Sequence, residues 1–138
     1  MINIDEIEWD EWTHGEQYGV RSKCLSDSAG GLAIATRMQE LEPGKQSMPL
    51  HFHTAEEEHL FIVEGECTLL HGEEYIHMIA GDYICFMPGD DRGHALLNHS
   101  KGICRYLIIG QRDQKDTVVY PEEGQVHVKA LDKIFHDN

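Results

Sequence analysis

A chain of 138 residues is long enough for one domain with its own core, and an apolar fraction of 41% with 13 glycines against 4 prolines is that of a globular, turn-rich protein. Its 25 acidic against 11 basic side chains leave a formal charge of −14, which repels phosphate backbones and anionic lipid and argues against nucleic acid or a membrane surface as partner. No apolar run reaches the roughly 20 residues that span a bilayer, and MINIDEIEWDEW lacks the basic start and apolar middle of a secretion signal, so a cytoplasmic location is expected.

In chain order, Asp5 to Trp12 suits a short helix or an extended edge strand, because Trp9 and Trp12 are three apart, as are Ile4 and Ile7. Such a segment caps a core or a subunit contact, and a homodimer is expected in which the partner covers an exposed sheet edge. Ser26 to Gly31 reads as a turn cluster, Leu32 to Leu41 alternates loosely, and Glu42, Pro43 and Gly44 form a further turn; two strands are read in this part.

From Pro49 onward short apolar runs alternate with polar turns. Strands are expected at residues 50–53, 58–63, 66–70, 75–79, 83–87, 94–98 and 103–110. Turns about ten residues apart argue for an all-β sandwich or barrel, and closure into a jelly roll would bring inward residues of distant strands together. After Gly110, QRDQKD is polar and VVYP extended. The tail from Val126 to Asn138 ends in LDKIFHDN, read as a helical turn or two packing on its own barrel or a neighbour's.

The four cysteines contain no C-x-x-C pair, and Cys67, Cys85 and Cys104 sit inside apolar runs, as expected of reduced, buried thiols. No Ser-His-Asp nucleophile, phosphate loop or dinucleotide fingerprint is legible. Arg92 and Arg105 are read as surface cations facing carboxylates, although either could orient an anionic substrate.

The chemistry concentrates in HFHTAEEEHLFIVEG. His51 and His53 are two apart, hence on one face of a strand, where both imidazoles can reach one ion. Three carboxylates follow. Glu58 would share its face with Leu60 and Ile62, and Glu57 its face with His59, Phe61 and Val63, so parity alone leaves both open. Far downstream, His94 begins another short strand after a Gly- and Asp-rich turn. Imidazoles plus a carboxylate suit one divalent transition metal, Mn, Fe, Ni, Cu or Zn, with coordination positions left for water or substrate.

These residues resemble the two motifs of the cupin superfamily. Gly44, His51, His53, Glu58 and Gly65 fall on the first, and Gly81, Asp82, Pro88, His94 and Asn98 on the second. Spacings depart from the pattern by single residues: six separate Gly44 from His51 and six separate Gly81 from Pro88, where five are usual, and one extra residue precedes His94. SMPLHFHTAEEEHLFIVEGE, GDYICFMPGDDRGHALLN and RYLIIGQRDQKDTVVYPEEG are similar to small single-domain cupins of largely unassigned function. The resemblance implies a double-stranded β-helix (jelly-roll barrel) spanning one domain, 1–138, with its motifs at about residues 40–110. Flanking segments 1–31 and 111–138 would pack on it. It also implies a metal held by His51, His53, Glu58 and His94, and it selects Glu58 because six residues separate it from Gly65. Asn98 would hold a turn by side-chain hydrogen bonds. Two functions follow as expectations: a metalloenzyme acting on a small oxygen-containing molecule by dioxygenase, isomerase, epimerase or lyase chemistry, or a non-catalytic module that binds a sugar or organic acid around a structural metal.

Overall fold

Leu60 and Ile62 are 1% and 0% exposed while Val63, one position on, is 41% exposed, so the alternation read in the sequence is the alternation of a half-buried strand. A computed structural model describes residues 1–137; Asn138, the last residue of the tail, lies outside the described residues. The chain forms β1 (Asp10–His14), β2 (Tyr18–Cys24), β3 (Ile34–Leu41), β4 (Phe52–His53), β5 (Glu58–Glu64), β6 (Glu66–His71) and β7 (Glu74–Ile79). It continues through β8 (Tyr83–Phe86), β9 (His94–Leu97), β10 (Cys104–Gln111), β11 (Thr117–Tyr120), β12 (Gln125–Val128) and β13 (Lys133–His136). Among the described residues no helix is long and apolar enough to cross a membrane.

One sheet has the order β1-β2-β3-β10-β5-β8. The facing layer joins β7-β6-β9 to β4-β11-β12-β13 through an antiparallel bridge between His51 and His94. Between the layers lie Leu41, Leu60, Ile62, Leu69, Leu96 and Tyr106, with Cys67, Cys104, Met78 and Phe86 completing the core. Full burial of each aliphatic side chain stabilises the fold by about 1.5–3 kcal/mol relative to exposure. The result is the double-stranded β-helix, an all-β barrel in which residues forty apart in sequence share one interior.

Turn geometry sets the register of the central hairpin. Gly65 has φ +82°, and a Cβ there would lie 2.5 Å from the Ile103 carbonyl oxygen, so only glycine passes between β5 and β6. Asn98, fully buried, donates through Nδ2 to the carbonyls of Leu41 (2.8 Å) and Gly102 (2.9 Å) and accepts from the Ser100 amide, which ties the end of β9 to β3 and to its own turn.

Three expectations are corrected. Ser26 to Gly31 is more than a turn: Leu25–Ala29 is a one-turn helix, α1, closed by Gly30 at φ +85° and by Ser28 Oγ donating to the Cys24 carbonyl. The described residues of the tail form no α-helix. A 3-10 turn at Lys129–Leu131 and Asp132 at φ +48° reverse the chain, and β13 then pairs with β12, a partnership that local pattern cannot reveal. Of the cysteines in apolar runs, Cys67 and Cys104 are buried but Cys85 is exposed, because it lies on the outward face of edge strand β8.

The N-terminal segment combines both expected forms, a 3-10 turn at Ile4–Glu6 followed by β1. It lies on the outer face of the first sheet. The Trp9 ring sits under the Arg21 guanidinium (4.2 Å) and Lys23 ammonium (4.7 Å), and Lys23 Nζ donates to the Ile4 carbonyl at 2.9 Å. The nearly buried Glu40 takes Arg21 at 2.8 Å and Arg105 at 2.7 Å. Arg105 thus faces a carboxylate, as does Arg92, which is 2.6 Å from Asp90.

Candidate metal centre

The bridge that joins the two halves of the second layer also builds the site. His51 N–H donates to the His94 carbonyl (3.3 Å) and His94 N–H to the His51 carbonyl (2.8 Å), and residues directly opposed in an antiparallel pair show their side chains on one face. The two imidazoles therefore stand side by side, with centroids 4.7 Å apart. His53, two residues along the same strand direction, joins them at 5.7 Å from His51. Across the barrel, Glu58 shares the inward face of β5 with Leu60 and Ile62. Its Oε1 lies 3.0 Å from His94 Nε2 and its Oε2 3.4 Å from His53 Nε2. All four residues singled out in the sequence line one cavity of about 280 Å³.

Glu57 points elsewhere. Its carboxylate is 2.6 Å from His59 Nε2, and His59 in turn meets Tyr83, on the face away from the cavity. Glu56, read only as a neighbour of Glu58, is buried: it accepts from the Asp113 amide (2.9 Å) and from Lys129 Nζ (2.6 Å).

The donor set fits a metal ion on its own chemistry. His51 Nδ1 faces the Pro49 carbonyl at 3.0 Å, an acceptor only, so this nitrogen carries the proton and Nε2 keeps its lone pair. His53 Nδ1 donates to Asp116 Oδ2 at 2.7 Å, which makes Nε2, on the Glu58 side, the nitrogen that would bind the ion on giving up its proton. His51, His53 and Glu58 each offer an atom within 4.8 Å of the other two, close enough to hold one ion. His94 completes the set through Glu58, its ring stacked on Phe86 at 3.7 Å and 6°.

Charges are set by the same contacts. Burial pushes the His51 imidazole down to about 4, with His94 adding to the shift, so this ring is neutral near pH 7. Burial opposes charge on Glu58 too, but hydrogen bonds from His53 and His94 outweigh it and hold the carboxyl well below its usual range. For His53, burial is outweighed by Glu58 and Asp116, which raise its pKa above the ordinary value.

Asp116 was not singled out by the sequence. Nothing in QRDQKD separates it from Asp113, yet it is fully buried at the start of β11 and its oxygens are saturated. Oδ1 accepts from the amides of Ala55 (2.9 Å) and Glu56 (3.1 Å), and Oδ2 takes His53 and, at 3.2 Å, Lys129. With His53 and Glu56 it forms a second cluster of metal-ligand type, beside which the Lys129 ammonium already stands. Tyr106 was also missed. It is 1% exposed and lines the cavity, and its hydroxyl has no hydrogen-bond partner among the described residues.

Comparisons with known proteins agree with this fold. A search of curated proteins finds no match to the chain. Among solved structures, a sugar phosphate isomerase of the cupin superfamily from Silicibacter pomeroyi is 25% identical, with a TM-score of 0.84 over 91% of this chain and 84% of that one. A proposed sugar phosphate isomerase from Acidithiobacillus ferrooxidans is likewise 25% identical, with a TM-score of 0.87 over 96% of this chain and 85% of that one. The polyketide cyclase RemF from Streptomyces resistomycificus, 18% identical with a TM-score of 0.67 over 82% of this chain and 79% of that one, shares the fold alone. The family described as "Cupin domain" matches residues 37–110, a stretch that runs from β3 through β10 and contains His51, His53, Glu58 and His94, and on that match the chain belongs to the cupin family.

Proposed function

We propose that the protein is a divalent-metal-dependent isomerase of small sugar phosphates. The observation that carries this reading is the convergence of three imidazoles and one carboxylate on the wall of a cavity of about 280 Å³, a size for a small polar molecule. The likeness over more than nine-tenths of the chain to proteins described as sugar phosphate isomerases supports the choice of chemistry. His51, His53, Glu58 and His94 are the residues that would hold the ion. When bound, it supplies Lewis-acid polarisation of neighbouring carbonyl and hydroxyl oxygens, which acidifies the C–H between them.

The chain's own groups position the substrate. Burial raises the Tyr106 phenol, so its hydroxyl is protonated and donates a hydrogen bond to a substrate oxygen. Tyr120, whose ring lies 5.6 Å from that of His51, closes the cavity beside the histidines. Leu60, Leu69 and Leu96 make the far wall apolar and keep water from the reacting carbons.

The test is an NMR assay of aldose phosphates in deuterated buffer with Mn, Fe, Ni, Cu or Zn restored. Ketose phosphate should form with solvent deuterium at the transferred position, and chelator should stop it. Tyr106→Phe should lower turnover about 10- to 100-fold with ion binding unchanged, the loss of one well-placed donor. Binding of sugar phosphates without turnover for any of the metals would favour the non-catalytic module instead.

Ion affinity should rise with pH through the titration of His53. In the ion-free protein its pKa is raised above the ordinary value of about 6.5, so near neutrality an incoming ion displaces a proton from it. Below that raised value affinity falls about tenfold per unit from this proton alone. His51, held down to about 4, adds no competition until far more acid pH. Metal content measured after dialysis at pH 8 and pH 5 should differ strongly; equal contents would mean that His53 is not a ligand.

A homodimer is proposed as well. β1, an edge strand exposed at every position, carries Trp12 at 40% exposure, and a partner covering it would remove an open edge. Light scattering at working concentration should give twice the chain mass, and a strict monomer would reject it.

A further inference from the structure

In a chain of charge −14, the placement of an unpaired cation is informative. Arg21 and Arg105 are held by Glu40, Arg92 by Asp90, and Arg112 by Asp27. Arg37 is different. It makes no hydrogen bond or ion pair with any described residue, and it lines both the cavity of the four clustered residues and an adjoining groove of about 260 Å³. Lys129 lines both as well. Two of the three donors of its ammonium go to Glu56 and Asp116, which leaves the third free.

Register explains why this corner is open. Arg37 lies opposite Ile108 of β10, and Ile108 opposite Leu60 of β5. In the next inward row Ala35, Gly110 and Glu58 stand side by side. The two smallest side chains thus lie between Arg37 and the Glu58 carboxylate. At Gly110 even a Cβ would come to 3.9 Å from Glu58 Cγ, and a longer side chain would grow across the passage. Two strand spacings and two residues of rise put the Arg37 and Glu58 Cα atoms about 12 Å apart, on the order of the length of an extended five- or six-carbon sugar phosphate.

We infer that Arg37, assisted by Lys129, seats the phosphate of the substrate at the shared mouth of the cavity and groove, with the other end of the molecule reaching His51, His53, Glu58 and His94. A guanidinium presents a planar fork that matches two phosphate oxygens, and among the described residues Arg37 is the one arginine without a carboxylate partner. The assignment rests on the isomerase reading for the far end of the substrate, and on the free cation for the near end.

Calorimetric titration of the full chain with unreactive polyol phosphates, glucitol 6-phosphate and ribitol 5-phosphate, tests it against unphosphorylated glucitol and ribitol. The phosphorylated probes should bind at least tenfold tighter, and less so at high salt. Arg37→Ala should weaken them about 10- to 100-fold while leaving the plain polyols and the melting temperature unchanged, and Arg37→Lys should restore part of the loss. Equal affinity for both kinds of polyol, no binding of the phosphorylated ones, or an unaltered Arg37→Ala variant would overturn the assignment. Failures are separable. Arg37-dependent binding of polyol phosphates without sugar phosphate turnover upholds the seat and removes the isomerase reading. Turnover of sugar phosphates that Arg37→Ala leaves unchanged does the reverse.

Discussion

Glu58→Gln is expected to erase the stabilisation that a bound divalent ion gives the protein, about 4 kcal/mol when free ion stands at about a thousand times its dissociation constant. The carboxylate is the only anion facing His53 Nε2 and His94 Nε2 from β5, at 3.4 and 3.0 Å, and a neutral amide in its place offers one weaker oxygen and a donor that repels the ion. Glu57→Gln should leave the increment intact, because Glu57 is engaged with His59 on the opposite face. Glu56→Gln should cost less than Glu58→Gln, since Glu56 touches Lys129 and the Nδ1 side of His53, not the Nε2 side. Melting curves with and without excess ion read all three. Loss of the increment in Glu57→Gln, with Glu58→Gln unaffected, would reverse the assignment.

The second large effect is expected at Asp116. In Asp116→Asn the amides of Ala55 and Glu56 fix the side-chain oxygen where Oδ1 now stands, so the new NH2 takes the place of Oδ2. There it meets two donors, His53 Nδ1 and Lys129 Nζ. His53 escapes the clash by moving its proton to Nε2, the nitrogen that would bind the ion. Ion affinity should therefore fall about 10- to 100-fold, as when a carboxylate partner of a ligating histidine is lost. The ion-free protein should lose about 1–3 kcal/mol from the unpaired buried donors. Removing Asp116 also removes one of the two charges that raise the His53 pKa, so the pH dependence of any residual binding should shift to lower pH. Affinity by competition with a chromophoric chelator decides it; an Asp116→Asn variant that binds as tightly as the native protein would mean that Asp116 does not orient His53.

Much of this was legible in the sequence because it is local. His51 and His53 share a face by strand parity, and the runs at residues 58–63, 75–79 and 103–110 became strands within a residue or so of the expected ends, since each alternates between bounding turns. The choice of Glu58 over Glu57 needed more than parity, because Phe61 and Val63 make the second face apolar too. Asp116 and Lys129 were illegible for a different reason. A buried carboxylate among exposed ones has no signature until tertiary pairing assigns it to His53, and an ammonium in a tail gives no sign that it will meet Glu56. The same holds for Tyr106, which alternation marks as core but whose unpartnered hydroxyl is visible only in three dimensions. β13 was read as helix because IFH has no strand partner within reach of a local pattern, whereas β12 supplies one in space.

The most direct test of the central claim is anomalous diffraction from crystals of the full chain grown with Mn or Zn and no chelator. The density should show one ion bound by His51, His53 and His94 imidazole nitrogens and a Glu58 oxygen, for zinc at about 2.0–2.2 Å, with further positions open to the cavity. An ion seated instead between Glu56 and Asp116 with Lys129 displaced, or no ion at the histidines in metal-saturated crystals, would contradict it.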